Sequence, residues 1–316
     1  MADAKIVEST SSLVDTENQS EHPNGSEEKT ETAPSNVTVS RTIQDGDNKR
    51  SSTSPHPSLQ SDPIIPFGGS APPQDHPDKA IVGGKGLGLQ EMHRLGVLVP
   101  PGFTLTTPLC QMFQDNGDLP AHMWKAVEEA VARVEQDMGK KYGDKENPLL
   151  FSCRSGGAVS MPGMMDTVLN IGLNSETVEG LAKATGNPRF AYDAFRRLLD
   201  MYGDVVLGID HEAFEERFQK IKDEEGVFDD VHLSAEALKR LTEEYKQVYV
   251  EHSVVFPEDP MDQLKSCVRA VFGSWMAARA IKYREINGIE NLIGTACNIQ
   301  TMVRIHRALL DFILCH

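Results

Sequence analysis

Long apolar runs are missing from this 316-residue chain. No window approaches the roughly 18 consecutive apolar residues that a membrane-spanning helix needs, so no membrane partner is expected. Basic charge is scarce too: 31 Lys and Arg stand against 47 Asp and Glu, a net charge of −16. The cationic footprint demanded by a phosphate backbone is therefore absent and no nucleic-acid partner is expected, although one local cationic site stays open. Cysteines are few and odd in number. Cys110, Cys153, Cys267, Cys297 and Cys315 are far apart, with no C-x-x-C pair and no histidine cluster beside them. That excludes a disulfide framework and a zinc site, and it predicts small buried apolar thiols in a reducing, cytoplasmic compartment. An apolar signal core is missing as well, and Asp3, Glu8, Asp15 and Glu17 count against an organellar transit peptide. The three Asn-x-Ser/Thr sequons at Asn18, Asn24 and Asn36 are then expected to be chance matches.

What is present is unevenly spread. Residues 1–78 hold 13 Asp or Glu against 5 Lys or Arg, 9 of the chain's 18 prolines, and 13 serines. Such a composition buries too little apolar surface to offset the entropy of ordering, so residues 1–61 are expected to be a disordered acidic tail. Order is expected from residue 62, beginning with the apolar cluster Ile64-Ile65-Pro66-Phe67.

Downstream, Ala80-Ile81-Val82 precedes the run Gly83-Gly84-Lys85-Gly86-Leu87-Gly88, and residues 89–95 carry helical spacing with Gly96 as a stop. This predicts an apolar segment, a glycine loop and a helix. Residues 97–105 read as a β segment interrupted by a turn at Pro100-Pro101. Trp124, Val127, Val131, Val134 and Met138 recur at helical steps and close on Gly139, an amphipathic helix. A strand over 148–154 should deliver Arg154 and Ser155 into a cleft, and the next twenty or so residues show neither helix nor strand pattern. Between about 189 and 287 the pattern is almost wholly helical, with Ser234 as one cap, and 295–303 reads as a returning strand.

Two glycine-rich stretches thus each hold one cation, Lys85 and Arg154. Glycines let backbone N–H groups converge on an anion, lysine adds a compact charge, and arginine can bind two oxygens at once. The pair suggests a polyphosphate ligand. The first stretch is not a Walker A loop, because Gly86 stands where Ser or Thr should meet magnesium, and it is not G-x-G-x-x-G, because the third glycine falls one position early. Asp166 reads as a cap or turn residue.

These residues carry a resemblance. Gly83-Gly84-Lys85-Gly86, Val99-Pro100-Pro101-Gly102-Phe103, Arg154-Ser155-Gly156, the run Met161-Pro162-Gly163-Met164-Met165-Asp166-Thr167, Arg189-Phe190-Ala191-Tyr192-Asp193, and Gly294-Thr295-Ala296 closely resemble the nucleotide-binding domain of the pyruvate, phosphate dikinases. The pyruvate, water dikinases share the Lys and Arg framework but not the Met-Pro-Gly-Met-Met-Asp-Thr run. The resemblance implies an α+β fold: an ATP-grasp nucleotide-binding domain over 62–303, incomplete, with a helical insertion over about 189–287, preceded by the disordered acidic tail 1–61. It implies a kinase-type phosphotransferase in which the terminal diphosphate of ATP passes to a histidine on the way to phosphoenolpyruvate. Lys85 and Arg154 would act on the ATP phosphates. Gly84, Gly86, Ser155, Gly156, Gly157, Ser160, Met161 and Gly163 would wrap them, Arg196 or Arg197 would add charge, and Gln300, Met302 and Val303 would lie by the adenine.

After Val303 the resemblance stops, and residues 304–316 form a tail unlike the family. The expectation is therefore an N-terminal piece of a dikinase, without the phosphohistidine and pyruvate-binding domains, and with the Mg2+ ligands in the missing part. His306 and His316 lack the small-residue, helix-starting context of the phosphorylated histidine. The implied partners are ATP and either a complete dikinase or a second copy of the chain. The alternatives are a non-catalytic, partner-binding product and a pyruvate, water dikinase-like enzyme.

Overall fold

The computed structural model describes residues 62–161 and 167–303. The acidic stretch 1–61, Gly163, Asp166, Cys315 and the 304–316 segment with both of its histidines lie outside the described residues. In chain order the elements are β1 (Ile64–Phe67), α1 (Lys79–Arg94), β2 (Gly102–Leu105), α2 (Thr107–Asn116), α3 (Ala121–Met138), β3 (Lys141–Tyr142), β4 (Pro148–Leu149), β5 (Phe151–Gly156), β6 (Thr167–Ile171), α4 (Thr177–Thr185), α5 (Pro188–Met201), α6 (His211–Glu225), α7 (Ala235–Glu251), α8 (Pro260–Ser274), α9 (Ala278–Ile286) and β7 (Ala296–Thr301). A π-helical turn, Tyr202–Val206, extends α5.

β1, β2, β7, β5 and β6 form one antiparallel sheet in that order. The last of the described strands is thus the central one. Ala296, Cys297, Asn298 and Ile299 are all buried because β7 is covered on both faces. Paired residues point to the same side of a sheet, so the register assigns Thr104, Asn298, Arg154 and Thr167 to one face. Phe103, Ile299, Cys153 and Val168, all fully buried, make the opposite face.

That second face is closed by α8, which packs across β5, β6 and β7. Cys153, Cys267 and Cys297 meet there, buried and free as the sequence predicts, and the Sγ atoms of Cys153 and Cys297 lie 3.2 Å apart. Beyond it, α5 packs on α4 and α7, and α6 packs on α7. Phe214 stands edge-on to Tyr245 and Tyr249, with ring centroids 5.1 and 5.8 Å away. Gly203 lets that ring lie against the π-turn, since a Cβ there would sit 2.3 Å from Phe214. Ser234 caps α7 as expected, its hydroxyl accepting from the Ala237 amide, and α3 buries Trp124, Val127, Val131 and Val134.

Three local expectations are corrected. The glycine run 83–88 is helical, not a loop: α1 continues through it with a single break at Gly83 (φ 70°, ψ 172°). The glycines serve close approach to the sheet, for a Cβ on Gly86 would lie 3.1 Å from Asn298 and 3.3 Å from Thr104. The patternless stretch after Arg154 contains β6, which pairs Thr167 with Arg154 and Ile171 with Phe151. Its five residues are recognisable as a strand only beside β5. Finally, Val97 and Leu98 are exposed and outside any strand, so only Gly102–Leu105 of that segment enters the sheet.

Candidate functional site

The break in α1 builds the site. Asp78 caps the first turn by accepting from the Ala80 amide at 2.8 Å. At Gly83 the chain enters a conformation essentially closed to other residues, and a Cβ there would fall 1.7 Å from the Gly156 carbonyl oxygen. The helix therefore touches the end of β5 backbone to backbone. The Gly84 amide donates to the Gly157 carbonyl at 3.0 Å. One residue later, Lys85 projects at the junction.

Two clefts meet at Gly84 and Lys85. One, of about 370 Å³, lies between Lys79, Lys85 and the segment 155–161, the end of β5 and the chain after it, including Ser155, Gly156, Gly157, Ser160 and Met161. The other, of about 230 Å³, is bordered by Lys85, Leu89, Met92, Arg154, Asn298 and Gln300. Lys85 and Arg154, which are 69 residues apart, thus share one wall of the molecule. Burial, and after it the positive charge of Arg154, lowers the Lys85 pKa below its usual 10.5. Among the described residues no carboxylate forms an ion pair with either cation. Two like charges held together without a counter-ion favour an anion between them.

The remaining expected residues are distributed differently. Gln300 borders the second cleft and donates from Nε2 to the Pro100 carbonyl at 3.2 Å. Met302 and Val303 line a separate, largely apolar cleft of about 640 Å³ with Leu149, Leu150, Leu181 and Phe190. Gly86 faces the sheet rather than a cleft. Arg196 and Arg197 border neither cleft. Arg196 is buried, bonded to Asp193 at 2.9 Å and Asp230 at 3.0 Å, and stacked 4.4 Å from the Phe218 ring centre. Arg197 meets the same two carboxylates at 3.0 and 3.4 Å. Their charge is neutralised within the helical layer.

Two residues join the site that the sequence did not single out. Lys79 comes from the first turn of α1; six residues before Lys85, it would lie on a different face of an unbroken helix, and the break at Gly83 lets both border one cleft. Asn298 is two residues before Gln300 on β7, so strand alternation alone puts both on one face. Among the described residues no group of three or more His, Cys, Asp or Glu is placed to hold a metal ion. Among the described residues the cleft walls offer ammonium, guanidinium, amide, hydroxyl and backbone groups but no carboxylate, and this set does not fit a resident magnesium ion. Among the described residues no helix is long and apolar enough to cross a membrane.

Comparison with known proteins gives the same direction. The family model described as pyruvate phosphate dikinase, AMP/ATP-binding domain matches residues 119–308. The chain is 52% identical over 227 residues to the pyruvate, phosphate dikinase, chloroplastic, of Mesembryanthemum crystallinum, covering 71% of this chain and 24% of that protein. It is 49% identical over 251 residues to pyruvate, phosphate dikinase 1, chloroplastic, of Arabidopsis thaliana, covering 79% and 26%. With pyruvate, phosphate dikinase 2 of Oryza sativa subsp. japonica it shares 52% over 226 residues, covering 71% and 25%. The chain spans about a quarter of the length of these curated relatives.

Proposed function

Because the chain belongs to the pyruvate, phosphate dikinase family and carries a match to its AMP/ATP-binding domain, we propose that the wall around Lys85 and Arg154 receives the phosphate chain of ATP. The observation that carries this reading is the convergence of these two cations on one cleft, with no carboxylate paired to either among the described residues. Catalysis of phosphoryl-type transfer is chiefly positioning and charge neutralisation. Lys85 and Arg154 supply the charge. The backbone of Ser155, Gly156, Gly157, Ser160 and Met161 shapes the neighbouring cleft for the phosphate oxygens, and Lys79 adds a third cation at its edge.

In this reading β1, β2, β7, β5 and β6 with α1 form the first lobe of an ATP-grasp fold within 62–303, and the helical layer is its insertion. Gln300 stands between the phosphates and an adenine directed toward Met302 and Val303. Magnesium enters as the counter-ion of the nucleotide. Transfer of the terminal diphosphate to a histidine, and from there toward phosphoenolpyruvate, is assigned to residues outside those described, and ATP binding is the part of the reaction read from these residues. The buried, unpaired cysteines support a reducing compartment. A cytoplasmic location satisfies that requirement, as does the chloroplast named for two of the relatives above. A protein partner, a complete dikinase or a second copy, is supported by the exposed Leu95 and Leu98. A monodisperse monomer in light scattering at every concentration would remove it.

Calorimetric titration with Mg-ATP tests the central reading. Lys85→Ala and Arg154→Ala are each expected to weaken binding about tenfold or more, the worth of a charge-assisted hydrogen bond. Wild-type affinity in both variants, or no binding by the wild type, would refute it.

A further inference from the structure

Resting on the reading of this cleft as a phosphate-chain site, we infer that Asn298 is a further ligand of the nucleotide, its side-chain Nδ2 donating to a phosphate oxygen held between Lys85 and Arg154. Asn298 lies on the central strand, directly across from Arg154 on one side and Thr104 on the other. It is only 2% exposed, yet it borders the same cleft as the two cations. In the assigned orientation of the carboxamide the Thr104 hydroxyl donates to its Oδ1 at 2.8 Å. The other end, Nδ2, has no partner among the described residues.

A buried N–H group without an acceptor costs free energy, and native chains rarely leave one. Here the surroundings are arranged around it. The carboxamide lies between two glycines: a Cβ on Gly86 would be 3.1 Å from Oδ1, and a Cβ on Gly156 would be 2.5 Å from Nδ2. Any side chain at 156 would displace the amide. A donor that is buried, unpaired and adjacent to two cations is suited to an anionic oxygen. A neutral amide adds a directional hydrogen bond there without adding to the repulsion between Lys85 and Arg154. Its place in the middle of the sheet holds it rigidly, whereas both cations reach the cleft on long side chains.

The test is titration of the full chain with Mg-ATP, using wild type, Lys85→Ala, Asn298→Ala and Asn298→Asp, with the melting temperature of each measured without nucleotide. Asn298→Ala is expected to bind about tenfold more weakly than wild type. Asn298→Asp, which places a carboxylate beside the phosphates, should be weaker still. Dissociation constants within twofold of wild type for both Asn298 variants, with Lys85→Ala impaired, would overturn the inference and leave the cleft reading standing. No binding by wild type would remove both. If the Asn298 variants do not fold, 15N-asparagine-labelled wild type decides. The Asn298 side-chain amide, identified by its contact with Thr104, should exchange its protons more slowly under saturating Mg-ATP. Equal exchange with and without nucleotide, which a purely structural amide would give, overturns the inference.

Discussion

Replacing Gly83 by alanine separates a packing role for the glycine run from a ligand-wrapping one. At φ 70° and ψ 172° an L side chain costs about 1–3 kcal/mol in backbone strain alone. The added carbon would also lie 1.7 Å from the Gly156 oxygen and 2.5 Å from its carbonyl carbon. Neither atom can rotate aside, so α1 and the end of β5 must separate by more than an ångström. That movement breaks the 3.0 Å bond from the Gly84 amide to the Gly157 carbonyl, which contributes about 0.5–1.5 kcal/mol. The expected destabilisation is about 2–4 kcal/mol, a fall in melting temperature of about 5–15 °C for a domain of this size. Gly88 is the internal control. It is in the same helix, and a Cβ there meets nothing within 4 Å, so Gly88→Ala should stabilise by about 0.5–1 kcal/mol. Urea titrations followed by circular dichroism measure both. If the two substitutions shift stability in the same direction by similar amounts, the packing account of Gly83 is wrong.

Lys85 gives a pH-dependent signature. Its pKa is lowered by burial and by Arg154, so between that value and 10.5 the free folded protein holds fewer protons on it than the unfolded chain does. Over that window stability should rise with pH relative to Lys85→Met. A phosphate chain draws the pKa back up, so Mg-ATP binding there should take up protons, seen as a heat that depends on the buffer's ionisation enthalpy; no such dependence would contradict the assignment. In the helical layer, Gln263 is fully buried, accepts from the Gly172 amide at 2.9 Å and donates to the Leu173 and Pro257 carbonyls at 3.0 and 2.8 Å. Gln263→Leu leaves these groups unpaired and should cost about 3 kcal/mol or more in chemical denaturation. A loss below about 1 kcal/mol would mean that the backbone finds other partners.

Much of the fold could be read from apolar spacing. The helices α3, α7 and α8 announce themselves by stripes whose members are buried in the structure, and β1, β5 and β7 by short apolar clusters. The errors fall where local preference and tertiary contact disagree. Five residues from Thr167 to Ile171 carry too little pattern to be recognised, and only pairing with β5 makes them a strand. Four glycines within α1 argue for a loop, because glycine is a poor helix former. The sheet overrides that preference, since Gly83 and Gly86 are what allow the helix to approach it. Arg196 and Arg197 look available in sequence; Asp230, 34 residues from the first and 33 from the second, helps to neutralise both.

By itself the sequence determined the kinds of residue available: two cations in glycine-rich surroundings, apolar stripes for a helical layer, and thiols without partners. Residue type and spacing are local properties, so no fold was needed to read them. Only the tertiary structure decided which of these meet. The central position of β7 places Asn298 across from Arg154, and the break at Gly83 turns Lys85 toward the same cleft. Strand order and backbone-to-backbone contact are relations between distant segments, set by how the whole chain packs, and no local pattern encodes them.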